Sequence, residues 1–169
     1  ANSRVALIGN YHGTASRYTT VLEGIQDAVA GKGRVLYSEG CHLFKDKTEP
    51  LAWDDDRIAE AIVVAKRSDK VVLVLGLDET LEGEEGDTGN AAASGDKLDL
   101  LLPTPQRRLM DAVLKLNKPS VIILMAGSAI DLGECADKAN SILLTWYPGA
   151  GGGKAVADIL FGKCSPSGK

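Results

Sequence analysis

Apolar residues in this chain fall into short runs separated by polar, glycine-rich connections, and the spacing within the runs alternates between two patterns. Val71-Val72-Leu73-Val74-Leu75-Gly76 and Val121-Ile122-Ile123-Leu124-Met125 are apolar at consecutive positions, as strands covered on both faces are. Shorter runs at Arg4 to Ile8, Arg34 to Tyr37 and Ser141 to Thr145 read as three further strands. Helical spacing lies between them. Leu22, Ile25 and Val29 make a stripe behind Thr20-Val21-Leu22-Glu23, which has the form of a capping box. Ile58, Ala61, Ile62 and Ala65 repeat at i, i+3, i+4 and i+7 behind Asp54-Asp55-Asp56, acids suited to the positive end of a helix. Thr104 as N-cap and Pro105 at the first helical position open a helix carrying Leu109, Ala112, Val113 and Leu116. A short helix is expected around Leu132 to Ala139, and a last one from about Lys154 to Phe161.

This alternation predicts an α/β fold, doubly wound, with a mostly parallel sheet of about five or six strands and helices on both faces. The 169 residues suit a single domain spanning 1–169, with no internal repeat and no second core pattern.

Ligands of open parallel sheets gather at the carboxyl ends of the strands. Gly9 to Gly13, Ser38 to Cys41, Ala126-Gly127-Ser128 and Trp146 to Gly149 all fall at that edge. So does the most unusual segment. Asp78-Glu79-Thr80-Leu81-Glu82-Gly83-Glu84-Glu85-Gly86-Asp87 carries six carboxylates directly after an apolar run. The connection continues to about Leu100 without a core pattern, longer than is usual in a compact domain. Like charge can raise a carboxyl pKa into the range of acid/base work; a solvated loop would account for the same composition.

Other chemistries fit poorly. The acidic loop lacks the alternating spacing of a calcium loop. Three cysteines without a C-x-x-C form neither a disulfide framework nor a zinc site, and Cys41-His42 reads as neighbouring loop residues. No metal is implied. Gly151-Gly152-Gly153-Lys154-Ala155 lacks the first glycine and the hydroxyl residue of a P-loop. The loop from Asn10 to Ser16 fits a phosphate or flavin cradle only loosely. A net charge of -4 with no basic stripe argues against nucleic acid. Hydrophobic residues at 44% and charged ones at 25% are ordinary for a soluble protein. No apolar run approaches the roughly 18 residues a membrane span needs. No signal-peptide pattern opens the chain, and the compartment stays open.

The motifs GNYHG, SEGC, GLDETLEGEEGD, LDLLLPTPQRRLMDAV, KPSVIILMAGSAIDL, TWYPGAGGGKAVADILFG and SPSG occur in that order. Together they resemble the second, α/β-sandwich domain of glycoside hydrolase family 3, particularly its β-xylosidase- and β-glucosidase-like members, from about Asn2 to Lys169. The resemblance implies part of a retaining, exo-acting β-glycosidase. A (β/α)8 barrel domain would supply the nucleophilic aspartate and this domain the acid/base glutamate, acting on a small oligosaccharide or aryl glycoside. By resemblance that glutamate follows the third strand, with Glu82 the first choice and Glu84 the second. Asn10, Tyr11 and His12 would join the sugar-binding rim. No cofactor is implied, and the chain alone is expected to be inactive. Two departures stand out. Thr88 stands where members often carry arginine, after the aspartate matching Asp87. The family's strand ending I-G-P-N also has no counterpart, and Ala1 to Arg4 looks like the loop that follows it. Either Val5 to Ile8 replaces that strand and pairs with Val71 to Leu75, which is the expectation, or the sheet lacks a central strand and exposes two unpaired edges. The alternative, from a different class, is a non-catalytic, flavodoxin-like folding or docking module.

Overall fold

The computed structural model of the chain describes residues 1–10, 12–47, 49–53, 56–84 and 97–168. Its regular elements are α1 (Val5–Ile8), α2 (Val21–Val29), α3 (Asp56–Lys66), β1 (Val71–Gly76), α4 (Thr104–Leu114), β2 (Ser120–Met125), α5 (Cys135–Lys138), β3 (Ser141–Leu144) and α6 (Gly152–Leu160). The three strands lie in the order β1-β2-β3, and both pairings are parallel. Leu73 sits opposite Ile122, and Ile122 opposite Ile142.

Alternate strand residues enter two separate apolar clusters, as the two-residue period of a strand requires. Leu73, Leu75, Ile122 and Leu124 pack with Ile58 and Ala65 of α3 and with Leu109, Met110 and Val113 of α4. Ile123 and Met125 pack with Leu7, Val21 and Val156, from α1, α2 and α6. Ile122 and Ile123, adjacent in sequence, are both fully buried. That explains why β2 has no polar alternation.

Among the described residues there are three strands, not the five or six expected. Val5 to Ile8 forms a single helical turn rather than a strand paired with Val71 to Leu75. A four-residue apolar run has no periodicity that separates helix from strand. Here the Ser3 hydroxyl accepts a hydrogen bond from Ala6 N at 3.3 Å, Gly9 ends the turn at φ 61°, and Leu7 drops fully buried into the second cluster. Arg34 to Tyr37 carries no ladder either, and Leu36 and Tyr37 are exposed. Cavities lie between this segment and β1, the largest of about 740 Å³, lined by Leu36, Tyr37, Val72 and Val74. Among the described residues, the side of β1 away from β2 has no strand partner.

The helices follow the sequence pattern more closely. Thr20 and Glu23 form the capping box: Glu23 N donates to Thr20 Oγ1 at 3.2 Å, and Thr20 N donates to Glu23 Oε2 at 2.7 Å. Donation by Thr20, first through its backbone N–H and then through its side chain, holds the Glu23 carboxyl below its usual pKa. At α4 the N-cap is Pro103, not Thr104, which lies inside the helix and whose hydroxyl accepts from Arg107 Nη2. The acids Asp54 and Asp55 ahead of α3 lie outside the described residues. Glycines set the α2–α6 contact. A Cβ on Gly24 would stand 2.1 Å from Gly153 O, and one on Gly153 would stand 1.9 Å from Thr20 O. The glycine run before α6 therefore serves backbone packing. No helix among the described residues is long and apolar enough to cross a membrane.

Candidate active site

β1 ends at Gly76 with φ 148°, and a Cβ there would stand 1.8 Å from Met125 O, so only glycine fits. Buried Gln106 of α4 closes the end of the strand. Its Oε1 accepts from Gly76 N at 2.8 Å, while Nε2 donates to Gly76 O at 2.7 Å and to Leu43 O at 2.8 Å. Leu77 N donates to Met125 O at 2.8 Å, which carries the chain one residue beyond the ladder.

The acidic segment then folds into a turn. Leu81 N and Glu82 N both donate to Asp78 O at 2.9 Å. Thr80 donates through N at 3.0 Å and through Oγ1 at 2.6 Å to Asp78 Oδ1. Asp78 thus organises the turn instead of projecting from it. Leu77 and Leu81 are buried with Ala126 in a third, small apolar cluster. This cluster anchors an otherwise charged segment.

Glu82 draws three strand ends together. Its Oε2 accepts from Gly127 N at 2.7 Å, just after β2, and from the Tyr147 hydroxyl, just after β3. Its Oε1 is buried and has no hydrogen-bond partner among the described residues. The Tyr147 ring lies against two glycines. A Cβ on Gly9 would come within 2.7 Å of it, and one on Gly127 within 2.9 Å. Burial pushes the Tyr147 phenol well above its ordinary pKa, and the hydrogen bond to and charge of Glu82 push it further. Trp146, exposed beside it, has φ 54°, an uncommon left-handed conformation for a residue other than glycine.

Of the residues singled out in the sequence, the structure therefore places Glu82 at the junction of the three loops and Glu84 exposed two residues on. Tyr11 and the stretch 85–96, which includes Glu85 and Asp87, lie outside the described residues. Asn10 and His12 are exposed, with His12 Nδ1 3.2 Å from Gly13 O. It is Gly9, ahead of them, that meets the Tyr147 ring. Sequence reasoning put Gly127 and Tyr147 on the rim without a role, and it missed Gln106. A glycine and an aromatic at successive strand ends were the available signal. A glutamine inside an amphipathic helix gave none. Among the described residues, no group of histidine, cysteine, aspartate or glutamate is arranged to hold a metal ion. His42 has a local role: its Nδ1 accepts from Phe44 N at 3.2 Å and Lys45 N at 3.0 Å. Burial and nearby Glu39 raise the Cys41 thiol to about 11.

The family model of the glycosyl hydrolase family 3 C-terminal domain matches residues 1–169. "Beta-D-xylosidase 3" of Arabidopsis thaliana is 35% identical over 171 residues, covering 99% of this chain and 19% of that protein. The "Periplasmic beta-glucosidase" of Salmonella typhimurium is 34% identical over 184 residues, covering 100% of this chain and 23% of that one. Among solved structures, a family 3 exo-beta-xylosidase (XlnD) in complex with a xylobiose aziridine activity-based probe aligns with a TM-score of 0.81. It is 29% identical, with 100% of this chain and 20% of that chain covered. The chain thus spans about a fifth of the length of the relatives it matches. With a parallel α/β sheet whose strand ends converge on an acidic turn, and with a family match along its whole length, this chain belongs to the glycosyl hydrolase family 3 C-terminal domain family.

Proposed function

We propose that this chain is one domain of a retaining, exo-acting β-glycosidase, a β-xylosidase or β-glucosidase, and that it lends the acid/base carboxyl to a shared active site. The observation that carries this reading is the acidic turn after β1, anchored at the ligand edge of the sheet in a chain whose relatives include β-xylosidases and β-glucosidases. The turn offers two candidates, Glu82 and Glu84. A (β/α)8 barrel domain supplies the nucleophilic carboxylate, which in retaining enzymes stands about 5–5.5 Å from the acid/base group. The sugar is the terminal residue of a small oligosaccharide or aryl glycoside, and Asn10, Tyr11 and His12 contribute to its rim. Protonation of the leaving oxygen by the glutamate precedes its return as a base toward water.

The test is turnover of aryl β-xylosides and β-glucosides by the chain alone and by the chain combined with a matching barrel domain. Alone it is expected to be inert. In the combination, the glutamine variant of the true donor loses far more activity on a poor leaving group than on an activated one, because only the poor one needs the proton. Leaving-group-independent losses in both Glu82→Gln and Glu84→Gln would remove the acid/base role from this turn.

A further inference from the structure

Two carboxyl groups two residues apart sit in different surroundings, and the difference assigns them different work. Glu82 Oε2 is occupied by two donors, Gly127 N and the Tyr147 hydroxyl. Its other oxygen is buried without a partner among the described residues. Both oxygens are thus committed to the domain, one by burial and one by hydrogen bonds. The donors belong to the ends of the neighbouring strands, so one carboxylate bridges all three strand ends of the sheet. The Tyr147 ring is in turn fixed by close contact with Gly9 and Gly127, and β3 is tied to β2 one step further by Thr145 N donating to Leu124 O at 2.9 Å. Glu84 is exposed.

We infer that Glu82 is a positioning residue. Its bonds to Tyr147 and Gly127 clamp the acidic turn onto the strand ends, and Tyr147 is the residue that closes the clamp. Of the two, the exposed Glu84 is then the better placed to meet a ligand, a consequence that rests on the glycosidase reading; the clamp itself does not.

The test uses the chain itself and needs no catalysis. Ultraviolet titration of its four tyrosines between pH 8 and pH 12 is expected to leave one phenol un-ionised until the protein unfolds. Tyr147→Phe removes that missing equivalent. Glu82→Gln, which takes away the neighbouring charge, brings it into the titration at a pH at least one unit lower, while Glu84→Gln leaves it in place. Thermolysin cleavage at Thr80-Leu81, where Leu81 is buried, is expected to become at least tenfold faster in both Tyr147→Phe and Glu82→Gln, with far-UV circular dichroism unchanged. An equal number of ionising tyrosines in Tyr147→Phe's parent and the unfolded chain would overturn the clamp. So would an unshifted phenol in Glu82→Gln, a Glu84→Gln shift as large as that of Glu82→Gln, or unchanged cleavage in both clamp variants. Failure of the glycosidase assay would leave these readouts intact, and success there would not rescue them.

Discussion

β1 meets two contrasting environments. At its carboxyl end the backbone is closed off by side chains and neighbouring strands: Gln106 pairs both polar groups of Gly76, and Leu77 N reaches Met125 O. Along its flank the strand faces cavities of about 500 and 740 Å³ and, among the described residues, no other strand, and Val72 is exposed. A buried backbone polar group without a partner costs about 1–3 kcal/mol, whereas one beside a wet cavity can be hydrated. The strand end can therefore be tightly specified while the strand side stays open. The contrast teaches that the order in this domain is concentrated where the loops converge, at the edge that carries the acidic turn.

The closed end of β1 is most vulnerable at Gly76. Gly76→Ala places a methyl group against Met125 O at a φ that disfavours side chains. We expect a loss of about 4 kcal/mol or more, or failure to fold, as measured by urea unfolding. Gln106→Leu keeps the volume but strands the Gly76 and Leu43 polar groups, and should cost about 2–3 kcal/mol by the same measurement.

Tyr147→Phe is milder, about 1 kcal/mol near neutral pH, and its effect depends on pH. The phenol is raised above its ordinary value of 10.0 in the folded chain, by burial first and by Glu82 second. The folded state thus holds that proton where the unfolded state has lost it. The stabilisation is fully present below about pH 10 and is lost as pH rises beyond it, so the stabilities of the wild type and Tyr147→Phe should converge in alkali. A stability difference that stays constant through alkaline pH would mean that the phenol is not raised in the folded chain.

Val72→Lys, on the open side, has the smallest effect on stability, within about 0.5 kcal/mol. It should nonetheless reduce concentration-dependent self-association in light scattering, because unpaired strand edges template pairing between chains and lysine blunts them. Unchanged association would place the sticky surface elsewhere.

Val71 to Gly76 and Ser120 to Met125 were legible as strands because consecutive apolar residues in runs of that length have few other uses. The capping box at Thr20 and Glu23 was legible because its chemistry is local. Val5 to Ile8 was not, since four apolar residues are compatible with either state until Leu7 finds a pocket. Arg34 to Tyr37 had the composition of a strand but, among the described residues, no partner at hydrogen-bonding distance. At the site, the acidic turn stood out by composition, yet nothing local distinguishes Glu82 from Glu84.

The sequence by itself determined the α/β class of fold, the helices other than α1, the two strands at the centre of the apolar pattern and the location of the acidic segment at the carboxyl edge of the sheet. These depend on periodicity, capping and charge density, which are properties of neighbouring residues. Only the tertiary structure decided how many strands pair, which carboxylate is clamped and what clamps it. Those outcomes depend on Gly9, Gly127 and Tyr147 arriving together from segments far apart in the chain, and on whether a strand's free backbone groups meet another strand or an open cavity.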